Sequence, residues 1–140
     1  MLAVSWRDVV LAVLPSAQLT EGAPPGALSV AGDLLGAPLP DDLVAMLAET
    51  DGIRAPDGQD LVWPIARIVH DNTELRQLPE FKERETLVVF GDSGGGNDRV
   101  AYDAMSPAHI LVWDRDTDER RPVAVDLADY FTRVLIEDYF

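Results

Sequence analysis

The residues best suited by type and spacing to bind a metal ion are three aspartates in the last third of the chain. Asp114, Asp116 and Asp118 alternate as the first ligands of a calcium-binding loop do. The sixth position of such a loop requires glycine and the twelfth a bidentate acid, but Glu119 and Val125 stand there. The pattern therefore predicts no high-affinity calcium site. Residues 114–119 are instead typical of an exposed hairpin turn, and a weak surface metal contact is the alternative.

A serine in a glycine-rich segment is a second candidate for chemistry. The run Gly91-Asp92-Ser93-Gly94-Gly95 is spelled like the surroundings of the nucleophile in trypsin-like proteases. A nucleophilic serine needs a histidine base and an acid that orients it, and the chain has only His70 and His109. The chain is also too short for the double-barrel protease scaffold, and it begins with helical patterns. A small hydrolase using Ser93 therefore stays only as an alternative.

The same glycines do not predict a phosphate-binding loop. No Gly-Lys-Ser/Thr follows them, and no Gly-x-Gly-x-x-Gly leads into a helix. Asp92 and Asp98 flank the segment with negative charge, which disfavours an anionic ligand. Consecutive glycines permit positive φ angles, so we expect a tight reversal between two strands.

The remaining metal-ligating and redox-active residue types are scarce. The chain has no cysteine, which excludes disulfides, thiolate zinc sites and iron–sulfur clusters. His70 and His109 have neither a second histidine nor a helically spaced acid pair beside them, so both are expected at the surface or in structural roles. The sequence therefore predicts neither a metal nor a cofactor.

The charge balance is the most unusual property of the composition. Asp and Glu total 25 against 11 Lys and Arg, which gives a formal net charge of −14. The acids are spread along the chain, and Lys82 is the single lysine. Such a surface repels phosphate backbones, so direct binding to DNA or RNA is not expected. A basic protein partner fits this field, and so does plain solubility.

No segment reads as a membrane span or a signal peptide. The longest apolar runs, such as Val9 to Leu14, are far shorter than the roughly 20 residues needed to cross a bilayer. The N-terminus lacks a basic region, and Asp8 interrupts it. A cytoplasmic location is expected.

Apolar spacing predicts five helices. The first is capped by Ser5 and stopped by Pro15, and an irregular connection follows to Ala27. The others are predicted over Leu28 to Leu35 with Gly36 as the cap, from Pro40 to Asp51, from Pro64 onwards, and after an Asp126 cap at the carboxyl end.

The strand patterns complete an α+β chain. The apolar run Thr86 to Phe90 is typical of a central strand, and further strands are expected over 99–102, 110–113 and 121–125. Pro122 indicates that the last strand lies at an edge. Helices, then mostly antiparallel strands, then a helix predict one domain over 1–140, with 1–27 as N-terminal helix and connection and 28–140 as the core.

A set of short blocks, in order along nearly the whole chain, resembles the SMI1/KNR4 family of the SUKH superfamily. Gly32 departs from the family pattern, because members commonly carry a glutamate before the Leu-Gly pair. The matching blocks are the Trp6 helix, Leu35-Gly36 with Leu39-Pro40-Asp41-Asp42-Leu43, Met46-Leu47 with Asp51-Gly52, Val62-Trp63-Pro64-Ile65 with Ile68 and Asn72, Phe90-Gly91-Asp92 with Gly95-Gly96-Asn97-Asp98, Ala101-Tyr102, Val112-Trp113-Asp114 and Ala124-Val125-Asp126-Leu127.

The resemblance implies a sheet carrying helices, and a binding role without catalysis. Bacterial members are regarded as immunity proteins that bind and neutralise toxins, often nucleases, and eukaryotic members resemble regulatory scaffolds. An acidic inhibitor suits a basic toxin, because opposite potentials speed encounter. A regulatory scaffold without a toxin partner, or a homo-oligomer formed through the Trp6 helix, is the alternative.

If the chain binds a basic partner, the acids around the glycine-rich loop and the hairpin are the expected contacts. An exposed acidic face without any partner is the alternative interpretation of these residues. They are Asp92, Asp98, Asp103, Asp114, Asp116, Asp118 and Glu119.

Overall fold

The computed structural model describes residues 5–36, 38–78, 87–92, 98–104 and 106–135, so Ser93 and the glycines beside it lie outside the described residues. The helices are α1 (Trp6–Val13), α2 (Pro25–Leu35), α3 (Asp41–Glu49), α4 (Ile65–Gln77) and α5 (Leu127–Asp129), which continues as a π-helical segment (Tyr130–Val134). The strands are β1 (Gln18–Leu19), β2 (Ile53–Arg54), β3 (Asp60–Val62), β4 (Leu87–Asp92), β5 (Asp98–Asp103), β6 (Ser106–Asp114) and β7 (Arg120–Ala124).

The strands form two antiparallel sheets. A small sheet has the order β1-β2-β3, and a larger one is a meander in the order β4-β5-β6-β7. The predicted α+β class is therefore confirmed. Pro122 lies in β7, the edge strand that its missing amide hydrogen predicted, and residues 114–119 connect β6 to β7 as a hairpin.

Local chemistry explains where most helices begin and end. The Ser5 hydroxyl accepts a hydrogen bond from the Asp8 amide at 3.1 Å, and the Asp126 carboxylate accepts one from Asp129 at 2.7 Å. Gly36 ends α2 with a φ of 77°, a left-handed conformation that glycine adopts without a Cβ clash. These three predicted caps are confirmed.

The segment between α1 and α2 differs from the sequence prediction. The expected irregular connection to Ala27 contains β1, and α2 begins at Pro25 rather than Leu28. Proline suits the first helical position because its missing amide hydrogen would have no partner there. The small sheet was not predicted, since strands of two or three residues are too short to show a periodic pattern.

β4 lies at an edge of the larger sheet, so its predicted central position is wrong. Its apolar run nevertheless reflects real burial, because helix α4 covers it. The Asn72 side chain donates to the Val89 carbonyl at 2.7 Å and accepts from the Val89 amide at 2.8 Å. One buried amide side chain thus makes the pair of hydrogen bonds that a neighbouring strand would make.

The two sheets meet at β3 and β4. The Trp63 amide donates to the Phe90 carbonyl at 2.7 Å, directly after β3. A Cβ added at Gly91 would lie 2.0 Å from the Leu61 carbonyl oxygen, so glycine is required for this close approach. Trp63 and Trp113, each at the end of an apolar run, are both buried in the core.

Helix α1 is anchored to the rest of the chain at its N-terminus. The Glu49 carboxylate accepts hydrogen bonds from the Trp6 and Arg7 amides, and the Arg7 guanidinium donates to the Thr20 and Glu49 carbonyls. Trp6 is half-buried against the core. An oligomer formed through this helix would therefore use the part of it that these contacts leave exposed.

Candidate protein-binding surfaces

The register of the larger sheet determines which of the seven candidate acids lie together. Asp98 pairs with Asp114 across β5 and β6, and Asp92 pairs with Arg99 across β4 and β5. The hairpin after Asp114 brings in the other three acids at this same end of the sheet. Asp103 pairs with Leu87 and Ser106 at the opposite end, about 16 Å away along the strand. The sheet end therefore groups six acids: Asp92, Asp98, Asp114, Asp116, Asp118 and Glu119.

The Asp92 carboxylate contacts two arginines and a tryptophan indole. It accepts a hydrogen bond from Trp63 Nε1 at 3.3 Å and lies 3.6 Å from Arg99 Nε and 4.0 Å from Arg67 Nη2. Arg67 lies 4.0 Å above the Trp63 ring and also pairs with Asp60 at 3.0 Å. Asp92 therefore belongs to an internal network of acids and arginines, and its charge is largely compensated.

Two hairpin acids hold the turn itself. Asp114 accepts hydrogen bonds from the Asp116 and Thr117 amides at 2.8 and 3.3 Å. Asp118 has a φ of 61°, accepts from Trp113 Nε1 at 2.8 Å, and lies 3.6 Å from Arg120 Nε. These side chains stabilise the hairpin, so their presence in the sequence has a structural explanation.

The remaining acids of the sheet end are more accessible. Asp116 and Glu119 are exposed at the hairpin, and Asp98 is half-buried. Arginines lie among all six acids in this part of the fold: Arg67, Arg99, Arg115, Arg120 and Arg121. Arg67, Arg99 and Arg120 lie within 4.0 Å of the Asp92 or Asp118 carboxylate, so these two acids are paired, which the count of acids alone did not predict.

A cleft of about 400 Å³ opens between α4 and the larger sheet, beside Asp92. Indole and guanidinium groups share its wall with carboxylates, so it can bind a polar or aromatic side chain from a partner. Its polar and aromatic lining residues are Trp63, Arg67, Asp71, Glu74, Gln77, Arg99, Trp113 and Arg115.

His70 has acidic neighbours that the sequence reasoning did not single out. Its Nδ1 lies 3.1 Å from Asp71 and its Nε2 lies 3.5 Å from Glu74 one turn later, so these ligand atoms could reach one metal ion. The Asp71 hydrogen bond, followed by the Glu74 charge, raises the pKa of His70 above its ordinary value. The expected surface position of His70 is confirmed, and His109 is exposed as well.

A larger groove of about 760 Å³ separates α2 from α3. Apolar side chains make most of its lining, and Asp33 and Asp41 are its only charged lining residues in the part of the chain that the structure describes. The sequence reasoning missed this groove. Four residues of its lining are glycine or proline, whose small side chains leave space between the helices unfilled. They are Pro25, Gly32, Gly36 and Pro38.

Comparison with models of known protein families identifies the family of this chain. The family model described as SMI1 / KNR4 family (SUKH-1) matches residues 22–133, which is well over half of the chain. The chain belongs to the SMI1/KNR4 family. The resemblance seen in the ordered sequence blocks is thereby confirmed, and family membership indicates a role in protein–protein interaction in general.

No curated protein sequence matches the chain. Within the described ranges, every helix is too short or too polar to cross a bilayer.

Proposed function

We propose that this protein is a non-enzymatic, cytosolic, immunity-type member of the SMI1/KNR4 family that binds and neutralises a basic toxin domain, such as a nuclease. The observation that carries the proposal is the formal net charge of −14 on a chain of this family. A nuclease domain needs a basic surface to hold a phosphate backbone. An acidic protein of this size can compete for that surface.

The charge would act first on the rate of encounter. Opposite potentials raise association rate constants by about 10- to 1,000-fold, and salt removes this gain because the Debye length is only about 8 Å at physiological ionic strength. Tight binding then depends on side chains that become buried in the complex. Electrostatic attraction and contact are therefore separable properties of the proposed interface.

Among the seven candidate acids, Asp116 and Glu119 are the best placed for direct contact. Both are exposed at the hairpin tip, whereas Asp92, Asp114 and Asp118 hold the fold through the contacts described above. Asp98 is half-buried, and Asp103 lies at the far end of the sheet. We therefore propose that the hairpin tip is the part of the predicted acidic patch that contacts the partner.

Co-expression with a toxin domain tests the proposal directly. Candidate toxin domains are taken from the genes next to this one, and each is expressed under an inducible promoter with growth as the readout. We expect the protein to restore growth and to bind the purified toxin with an association rate that falls as salt rises. Unrelieved toxicity together with no measurable binding would contradict the proposal.

A matched pair of variants tests the hairpin tip. Asp116→Lys with Glu119→Lys changes the net charge by the same amount as Asp8→Lys with Glu21→Lys, and all four side chains are exposed. We expect the hairpin pair to slow association about tenfold and the control pair about threefold or less. Equal slowing by both pairs would mean that only the overall charge steers binding.

A further inference from the structure

The groove between α2 and α3 has the construction of a docking site for an apolar segment. Leu28 and Leu39 are buried at its base, and Val44 of α3 is half-buried along it. Pro25 and Pro38 are exposed at its rim. Its volume of about 760 Å³ is nearly twice that of the cleft beside α4, and the two depressions share no lining residue among those the structure describes.

The two charged residues that line this groove are both acids, and Asp41 is the first residue of α3, where the helix dipole favours an acid. Asp33 and Asp41 are exposed, and within the described residues neither makes a side-chain hydrogen bond or an ion pair. Arg76 contacts α2, donating to the Leu35 carbonyl at 2.6 Å, but it does not line the groove, and Arg54 pairs with Asp60. Within the described residues, Asp33 and Asp41 therefore lack the ion pairs that Asp92 and Asp118 make at the sheet end.

We infer that this groove docks a basic amphipathic segment of the partner protein, with apolar side chains on Leu28, Leu39 and Val44 and lysine or arginine side chains on Asp33 and Asp41. The inference rests on the proposed function and adds the surface on which the partner becomes buried. Helix-in-groove recognition of this kind uses apolar anchors at i, i+3, i+4 and i+7 of the bound segment. The acids at the rim select a cationic segment over a neutral one of the same shape.

Charge complementarity favours a basic partner over a second copy of this chain. A second copy also carries −14, so the approach of two chains at an acidic groove meets long-range repulsion. A basic segment is attracted at long range by the net negative charge of the chain, and at short range it can pair with the carboxylates of Asp33 and Asp41.

Three synthetic helical peptides test this inference by backbone amide NMR of the full chain. The first has leucines at i, i+3, i+4 and i+7 with lysines elsewhere, the second replaces its leucines by serine, and the third replaces its lysines by glutamate. We expect the first peptide to shift resonances of residues 25–48, and the other two to bind at least about tenfold more weakly. Shifts centred on residues 114–120, or shifts of equal size with all three peptides, overturn the inference.

Two neighbouring positions of α2 provide matched variants. Ser29 lines the groove and Val30 does not, both are exposed, and Ser29→Arg and Val30→Arg each add the same charge and side chain. We expect Ser29→Arg to weaken binding of the leucine–lysine peptide at least about tenfold and Val30→Arg about threefold or less. Ala48→Arg, on the α3 wall, repeats the test from the other helix.

The amide spectrum of each variant shows whether it is folded, and the same spectrum at rising protein concentration detects self-association. Concentration-dependent shifts at the groove would assign it to a second copy and overturn the basic partner. The toxin co-expression test is independent of these readouts. Growth rescue with equal peptide affinity for Ser29→Arg and Val30→Arg rejects the groove alone, whereas selective peptide binding without growth rescue rejects the toxin partner alone.

Discussion

The acids at the end of the larger sheet and those at the α2–α3 groove differ in what they already contact. At the sheet end, Asp92 and Asp118 hold arginines and tryptophan indoles. At the groove, Asp33 and Asp41 have no such neighbours among the described residues. A carboxylate that is paired with a cation of the same chain attracts a partner only weakly. The density of acids in a sequence therefore does not by itself locate a binding surface.

The largest expected effect is the loss of stability on removing Asp118. Asp118→Ala deletes the acceptor of the buried Trp113 indole and places alanine at a φ of 61°, which together cost about 2 kcal/mol of unfolding free energy. Asp118→Asn keeps an acceptor and tolerates this conformation, so we expect a much smaller loss. Urea unfolding measures both, and equal losses would show that the indole hydrogen bond is not the cause.

Removing Asp92 has the next largest expected effect. Asp92→Ala leaves Arg67 and Arg99 without one of their carboxylates, and we expect a loss of about 1 kcal/mol because the network is only partly buried. Glu119→Ala, at the exposed hairpin tip, is the control and should change the unfolding free energy by less than about 0.5 kcal/mol. Similar values for the two variants would remove the distinction between paired and exposed acids.

Acid titration extends the comparison to a third paired acid, Asp129. Hydrogen bonds from the Arg133 guanidinium and the Val125 amide lower the pKa of Asp129 from 3.8 to about 2. Because this pKa is lowered by folding, its contribution to stability is present above 3.8 and is lost as the pH falls towards 2. We expect Asp129→Asn and Arg133→Gln to flatten the fall of unfolding free energy in this window. An unchanged slope in both would contradict the contribution of the pair.

The smallest expected effect on stability belongs to the groove. Asp33→Asn with Asp41→Asn removes no described contact, so the unfolding free energy should change by less than about 0.5 kcal/mol. A clear loss of stability would show that these acids are structural too, and the contrast with the sheet end would disappear.

The parts of the fold that the sequence predicted are those determined by neighbouring residues. The Ser5 and Asp126 caps, the Gly36 helix end, the hairpin at 114–119 and the edge position of Pro122 each follow from local chemistry. The fold class and the family also follow from the sequence, because several short blocks in a fixed order are specific even though each block alone is weak.

The features that the sequence did not predict depend on residues far apart in the chain. Asn72 and Val89 are 17 positions apart, and only the packing of α4 on β4 brings them together. The pairing of Asp92 with Arg99 depends on strand register, which fixes which charges oppose one another. The α2–α3 groove depends on the position of one helix relative to the other. That position is set by the packing of the whole core, so a single residue in either helix does not predict it.

The hydrogen bonds between Asn72 and Val89 also affect how this protein behaves at high concentration. An unpaired strand edge can recruit a second chain and start aggregation. On the β4 side, the asparagine amide occupies the Val89 amide and carbonyl, and the Trp63 amide occupies the Phe90 carbonyl. At the β7 edge, Pro122 removes a backbone donor, with Arg121 exposed beside it. Both sides of the larger sheet thus carry a barrier to growth, which disfavours the pairing of two copies of this chain through their strands.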